Sequence, residues 1–206
     1  MRSVQEKTEL FSVSLAATCR SSWHGTHVAG TIGAATNNAI GIAGINWNAR
    51  IVPVRALGVG GGAMSDIAEG ILWAAGIAVP GLPLNPNPVK VINMSLGGAS
   101  LTCPLTYQAA IDQAIAKKIT VVVAAGNNNL NVSGFSPANC KGVVVVAANN
   151  RTGSKASYSN FGAGISIAAP GGEVSPIPAN GILSTLDGGR PRRSMTMPMP
   201  IIKALV

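Results

Sequence analysis

The sequence predicts one α/β domain built on a mainly parallel sheet, and three observations carry that expectation. The chain has 206 residues, 47% of them hydrophobic and only 11% charged, with 25 glycines. Such a length and composition suit a single close-packed core and do not suit a disordered polymer. The runs 119–125 and 143–148 are continuous, apolar and rich in β-branched residues. A strand buried on both faces reads this way, whereas a half-exposed strand alternates. These runs are separated by stretches whose apolar spacing is near 3.6, so strands and helices alternate along the chain.

The elements follow in order. Small residues recur after His24 at helix-compatible spacing (Gly25, Ala29, Gly30, Gly33, Ala34), which predicts a helix able to approach its neighbours closely. Residues 50–57 read as a strand, 66–78 as a helix, 89–95 as a strand and 105–118 as a helix. Lys117 and Lys118 fall where that second helix ends, and cations there favour the negative end of its dipole. The proline-rich stretch 83–88 and the asparagine-rich stretch 127–139 read as loops. No internal repeat and no second domain emerges.

Charge excludes little by itself. The formal net charge is +8, which would suit nucleic acid or an anionic membrane. Between Arg20 and Asp187, however, nine Lys/Arg stand against five Asp/Glu, a net of +4 spread as single residues. No basic cluster is interleaved with aromatics, so a nucleic-acid partner is not expected. No apolar run is long enough to span a bilayer, so no membrane is expected either. Residues 10–17 are mildly apolar, but Glu6 and Glu9 beside them argue against a signal peptide.

Two segments carry chemistry. His24-Gly25-Thr26-His27-Val28-Ala29-Gly30-Thr31 offers an imidazole on a rigid element, as a general base requires. A lone histidine is more often a satisfied structural residue. Val121-Val122-Val123-Ala124-Ala125-Gly126-Asn127 ends an apolar run on Gly-Asn, by itself a turn signal. Taken in order with Asn93-Met94-Ser95-Leu96-Gly97-Gly98, these segments resemble the boxes of the subtilisin-like serine proteases. The resemblance runs from about Ser21 to Leu186 and takes in Ala156-Ser157-Tyr158-Ser159-Asn160-Phe161-Gly162, Ile167-Ala168-Ala169-Pro170-Gly171-Gly172 and Gly181-Ile182-Leu183-Ser184-Thr185-Leu186. These last three are similar to the extracellular bacterial branch.

The resemblance implies a three-layer subtilisin-like fold and a secreted, monomeric parent enzyme that cleaves peptides or proteins. His24 would be the catalytic base. Ser95, Leu96, Gly97, Ala125 and Gly126 would bind substrate, and the Asn127 amide would face the oxyanion, where a preoriented donor is worth most. Cys103 and Cys140 match a disulfide of the family and would be joined in an oxidising compartment. Two free buried thiols are the alternative. Cys19 is the odd cysteine: the loop that carries its partner in similar proteins reads Leu57-Gly58-Val59-Gly60-Gly61-Gly62 here, so the expectation is that Cys19 is unpaired or lies outside the genuine reading frame. No cofactor is implied. Calcium is common in the family, yet no acidic loop suited to it stands out.

Departures from the family pattern are as informative. The triad runs Asp, His, Ser in chain order, but no Asp precedes Asp66, and Glu6 and Glu9 sit in no Asp-Ser/Thr-Gly turn. Ser194-Met195 mimics the nucleophile box, but Arg192 and Arg193 stand where Gly-Thr should be. Read one frame over, the codons from Gly188 to Val206 force an Asp at Met195-Thr196 and an Ala at Met197-Pro198 and Met199-Pro200. Their degenerate positions permit the family's approach to Gly-Thr-Ser. The expected organisation is therefore an atypical segment 1–20, a partial catalytic domain 21–187 lacking the first strand and the serine helix, and an out-of-frame tail 188–206. An incomplete, inactive endopeptidase is the first functional expectation; a non-catalytic peptide-binding remnant is the alternative.

Overall fold

The computed structural model describes residues 22–58 and 60–186. The expectations for residues 1–20, Cys19, Ser194 and 188–206 lie outside them. Strands β1 (Val91–Met94), β3 (Thr120–Ala124), β5 (Val144–Asn149) and β6 (Ile167–Pro170) form a parallel sheet in the order β1-β3-β5-β6. Short strands β2 (Gly98–Ala99) and β4 (Phe135–Ser136) pair antiparallel beside it. Among the described residues three α-helices accompany them: α1 (His24–Gly33), α2 (Met64–Ala74) and α3 (Leu105–Ala116). A helix separates β1 from β3, as a parallel pair requires.

The core lies where α2 and α3 cross the sheet. Ile67, Ile71 and Ala74 of α2 meet Ala110, Ile111 and Ala114 of α3 over Ile92, Met94, Val121 and Val123. Ile111 and Val123 are wholly buried. Val145 and Val146 are consecutive in β5 and both buried, so both faces of that strand are closed. The apolar runs at 119–125 and 143–148 thus become the two inner strands, because only an inner strand can bury successive side chains.

Two expectations are revised. Residues 50–57 join no ladder, since a strand exists only where its backbone groups find a neighbour's. They lie instead along α2, where Gly70 leaves room for Val54 and Ala56. Helix α2 also stops short of 78: Gly76 adopts φ +68°, a left-handed turn suited to glycine. The Lys117 ammonium does not serve its own helix. It donates to the carbonyls of Ala75 (3.4 Å) and Gly76 (3.0 Å), so it satisfies the C-terminus of α2 across the helix pair.

Cys103 and Cys140 form a disulfide with Cα atoms 4.9 Å apart. It fastens the entry to α3 to the turn that follows β4. The 37-residue separation closes a loop whose constraint on the unfolded chain is worth about 3–4 kcal/mol. Replacing both cysteines by serine should lower stability by that amount, read as a reduced midpoint in urea unfolding; an unchanged midpoint would show that the bond adds nothing.

Candidate active site

Parallel α/β sheets place ligand sites beyond the carboxyl ends of their strands. Here the stretches singled out in the sequence leave two adjacent strands on that side. Ser95, Leu96 and Gly97 follow β1; Ala125, Gly126 and Asn127 follow β3; and Met94 is in register with Val123. Leu96 packs against the core, while Ser95 accepts a hydrogen bond from Asn93 Nδ2 at its Oγ (3.0 Å). Gly97 has to be a glycine, because a Cβ there would lie 2.9 Å from the Ser136 carbonyl. Its absence lets the 95–97 backbone run close beside the β2–β4 pair.

His24 opens α1 and is half-buried. Its Nε2 lies 2.7 Å from the Ser95 carbonyl oxygen. A carbonyl only accepts, so Nε2 carries the proton and donates. The structure thus brings together His24 and Ser95, 71 residues apart, at the end of β1. Asn127 is exposed one strand away, and no hydrogen bond among the described residues falls on its side chain.

What holds α1 here is a part of the sequence to which no role was assigned. Residues 182–185 lie along the helix. His27 Nε2 donates to the Ile182 carbonyl (3.1 Å), Ser184 Oγ to the His27 carbonyl (2.6 Å), and Thr185 Oγ1 to the Thr26 carbonyl (2.8 Å). Thr31 Oγ1 bonds to Ser184 Oγ (3.0 Å). Gly30 makes the approach possible, for a Cβ there would lie 2.0 Å from Thr185 Oγ1. Close packing by small residues is realised at Gly30 and at Gly33, which faces Ala49, whereas Gly25 meets nothing within 4 Å. On that side α1 borders an open, apolar cavity of about 370 Å³ with Ile51 and Pro53 on its far wall. Neither His24 nor Asn127 lines it.

His27 is 9% exposed, and its Nδ1 is buried without a hydrogen-bond partner among the described residues. Burial pushes its pKa below the usual histidine value; the bond to Ile182 acts the other way, and the nearby His24 lowers it further. Among the described residues no group of three or more His, Cys, Asp or Glu side chains converges to hold a metal ion. No described helix is long and apolar enough to cross a membrane.

The lowered pKa of His27 sets a direction in pH. The unfolded chain binds the proton more readily, so stability rises with pH up to about 6.5 and is lost as pH falls below it. His27→Gln keeps a donor for Ile182 and removes the titration. Urea unfolding between about pH 5 and 8 should show a shallower slope for the variant than for the parent; equal slopes would contradict the assignment.

The chain is similar to known proteins. The family model described as the subtilase family matches residues 12–199. An extracellular protease of Xanthomonas campestris pv. campestris is 56% identical over 169 residues, 82% of this chain and 28% of that protein. An extracellular basic protease of Dichelobacter nodosus is 45% identical over 170 residues, 82% of this chain and 27% of its own. Among solved structures, a protease from Pseudoalteromonas arctica superposes with a TM-score of 0.73 at 56% identity, covering 74% of this chain and 44% of that one. The chain spans just over a quarter of the length of those two curated relatives. With its parallel sheet, its histidine helix and the segments that follow β1 and β3, the chain belongs to the subtilase family of serine peptidases.

Proposed function

We propose that this sequence carries the histidine and peptide-holding part of a secreted, monomeric serine endopeptidase of the subtilisin type, acting on peptides or proteins. The observation that carries the reading is the meeting of His24 with Ser95 beside the strand that delivers Asn127. In the working enzyme the imidazole takes the proton of the nucleophilic serine and returns it to the leaving amine. The backbone of Ser95, Leu96 and Gly97 pairs with an extended substrate, with Ala125 and Gly126 forming the facing wall. Asn127 donates to the oxyanion; the loss of one such donor in subtilisin itself, from which the magnitude is borrowed, costs about 10²–10³ in turnover. The names of the relatives, which call them extracellular, support secretion.

The 206-residue polypeptide on its own is, in this reading, hydrolytically silent. With Nε2 donating to Ser95, the ring presents no lone pair there to a serine hydroxyl. A carboxylate on Nδ1 is what sets the opposite tautomer in a working triad. In subtilisin, loss of the serine alone costs about 2 × 10⁶ in turnover. Treatment of the folded chain with a fluorophosphonate probe should give no adduct. Labelling at one defined serine would overturn the reading.

A second reading keeps the groove and drops the chemistry. The segment 95–98 follows β1 and passes from His24 to the β2–β4 pair, where Gly98 is in register with Ser136. A non-catalytic peptide-binding protein would then bind an extended peptide saturably without cleaving it. Resequencing the encoding DNA from the Gly188 codon onward separates the two: a one-base correction that opens a frame into Gly-Thr-Ser supports the endopeptidase, and confirmation of the present frame supports the binder.

A further inference from the structure

The sequence motif at 156–162 has no part in the site as described so far, yet its centre is one of the most buried polar side chains in the molecule. Asn160 is 0% exposed. Its Oδ1 accepts the backbone N–H groups of Asn128 (2.9 Å) and Leu130 (3.1 Å). Its Nδ2 donates to the Ala125 carbonyl (2.8 Å), and its backbone N–H donates to the Gly126 carbonyl (3.0 Å). Two donors on one side and a carbonyl on the other fix which end of the amide is oxygen. The neighbours complete the pattern: Asn129 N–H donates to the Tyr158 carbonyl, and Phe161 N–H to the Leu130 carbonyl.

The loop 125–130 is therefore matched on both sides of Asn127, while no hydrogen bond among the described residues falls on Asn127 itself. Gly126 belongs to the same device. It adopts φ +105°, and a Cβ there would lie 2.4 Å from Asn160 Nδ2, so the buried amide occupies the space a side chain would need. Asn160 is itself held from behind. The Ser159 hydroxyl accepts from Ala148 N–H (2.9 Å) in β5 and donates to the Asn160 carbonyl (3.0 Å).

We propose that Asn160 is the positioning residue of the oxyanion loop: its single side-chain amide sets the course of 125–130 and thereby the direction in which Asn127 presents its own amide. The proposal rests on the reading of Asn127 as the oxyanion donor. Its chemistry is specific to asparagine, which supplies one acceptor oxygen for two N–H groups and one donor for a carbonyl from the same planar group. Aspartate would keep the first function and set an oxygen against Ala125. Leucine would fill the volume and leave the buried Ala125 carbonyl and two partly buried N–H groups without this partner, a state that buried polar groups avoid.

The test is amide hydrogen exchange and ¹⁵N relaxation on the full 206-residue chain, comparing the parent with Asn160→Leu and Asn160→Asp. In Asn160→Leu, Asn128 and Leu130 should exchange roughly 10–100-fold faster, the loss expected when a partly buried N–H loses its acceptor. The Asn127 side-chain amide should become more mobile, while Val123 and Val145 in the strands keep their protection. In Asn160→Asp, Asn128 and Leu130 should stay protected. Unchanged exchange at 128 and 130 in the leucine variant would overturn the proposal. So would equal loss throughout the sheet, which would make Asn160 a general core residue. If the leucine variant does not fold, the aspartate variant decides: protection at 128 and 130 with a mobile Asn127 amide supports the proposal, and a rigid Asn127 amide overturns it. None of these readouts needs turnover, so failure here is distinct from failure of the endopeptidase reading, which the fluorophosphonate and DNA experiments address.

Discussion

The position of His24 depends on how α1 is anchored, and the anchor is a strip of four residues, 182–185, distant in sequence from the helix. The helix carries no charge in its first or last turn to pin it by its dipole. Side-chain donors to helix carbonyls do that work instead, from Ser184 to His27 and from Thr185 to Thr26, with His27 reaching outward to Ile182. All of these need the backbones to approach closely, and Gly30 is the residue that permits it. A Cβ at that position would meet the Thr185 and Ser184 side chains, so the helix or the strip would have to shift. The contact of His24 with Ser95 thus depends in part on the close approach that Gly30 permits.

The sheet supplies the other half of the arrangement. Parallel pairing of β1 with β3 fixes the relative height of their ends, so that Ser95 and Asn127 emerge on the same side without any contact between them being required. Beyond those ends, loops do the shaping. Gly97 lets the first one pass beside Ser136, and Gly126 accommodates the buried amide of Asn160 in the second. The buried core, where α2 and α3 cover Val121 and Val123, lies behind this edge and reaches it at Ala125 and Leu96. Rigid sheet and shaped loop are the division of labour by which α/β folds host many activities.

Much of this was legible in the sequence. The inner strands β3 and β5 could be read because continuous β-branched runs have few other uses. The α1 segment was legible through its small residues and its histidine box, and Cys103 and Cys140 through the family pattern they match. Other features were not, for physical reasons. Residues 50–57 have the composition of a strand, but strand formation depends on a neighbour that composition does not reveal. Lys117 looked like a cap for its own helix, because only the packing of α3 on α2 puts the carbonyls of Ala75 and Gly76 within its reach. Asn160 carried no signal as a single residue: an asparagine in a loop is ordinary, and its burial among 125–130 is a tertiary fact. The clamp at 182–185 was visible only as a resemblance, since hydroxyl-to-carbonyl bonds leave no periodicity.

The central claim is that α1 is docked so that the imidazole of His24 donates from Nε2 to the Ser95 carbonyl. The most direct measurement is the ¹⁵N spectrum of the two histidine rings at neutral pH, which distinguishes a protonated ring nitrogen from a bare one. The account predicts for His24 a proton on Nε2, slowed in its exchange with water by the Ser95 carbonyl, and a bare Nδ1. A proton on Nδ1 with a bare Nε2 would contradict it, placing the ring in the tautomer of a general base and leaving the 2.7 Å contact with Ser95 without a hydrogen.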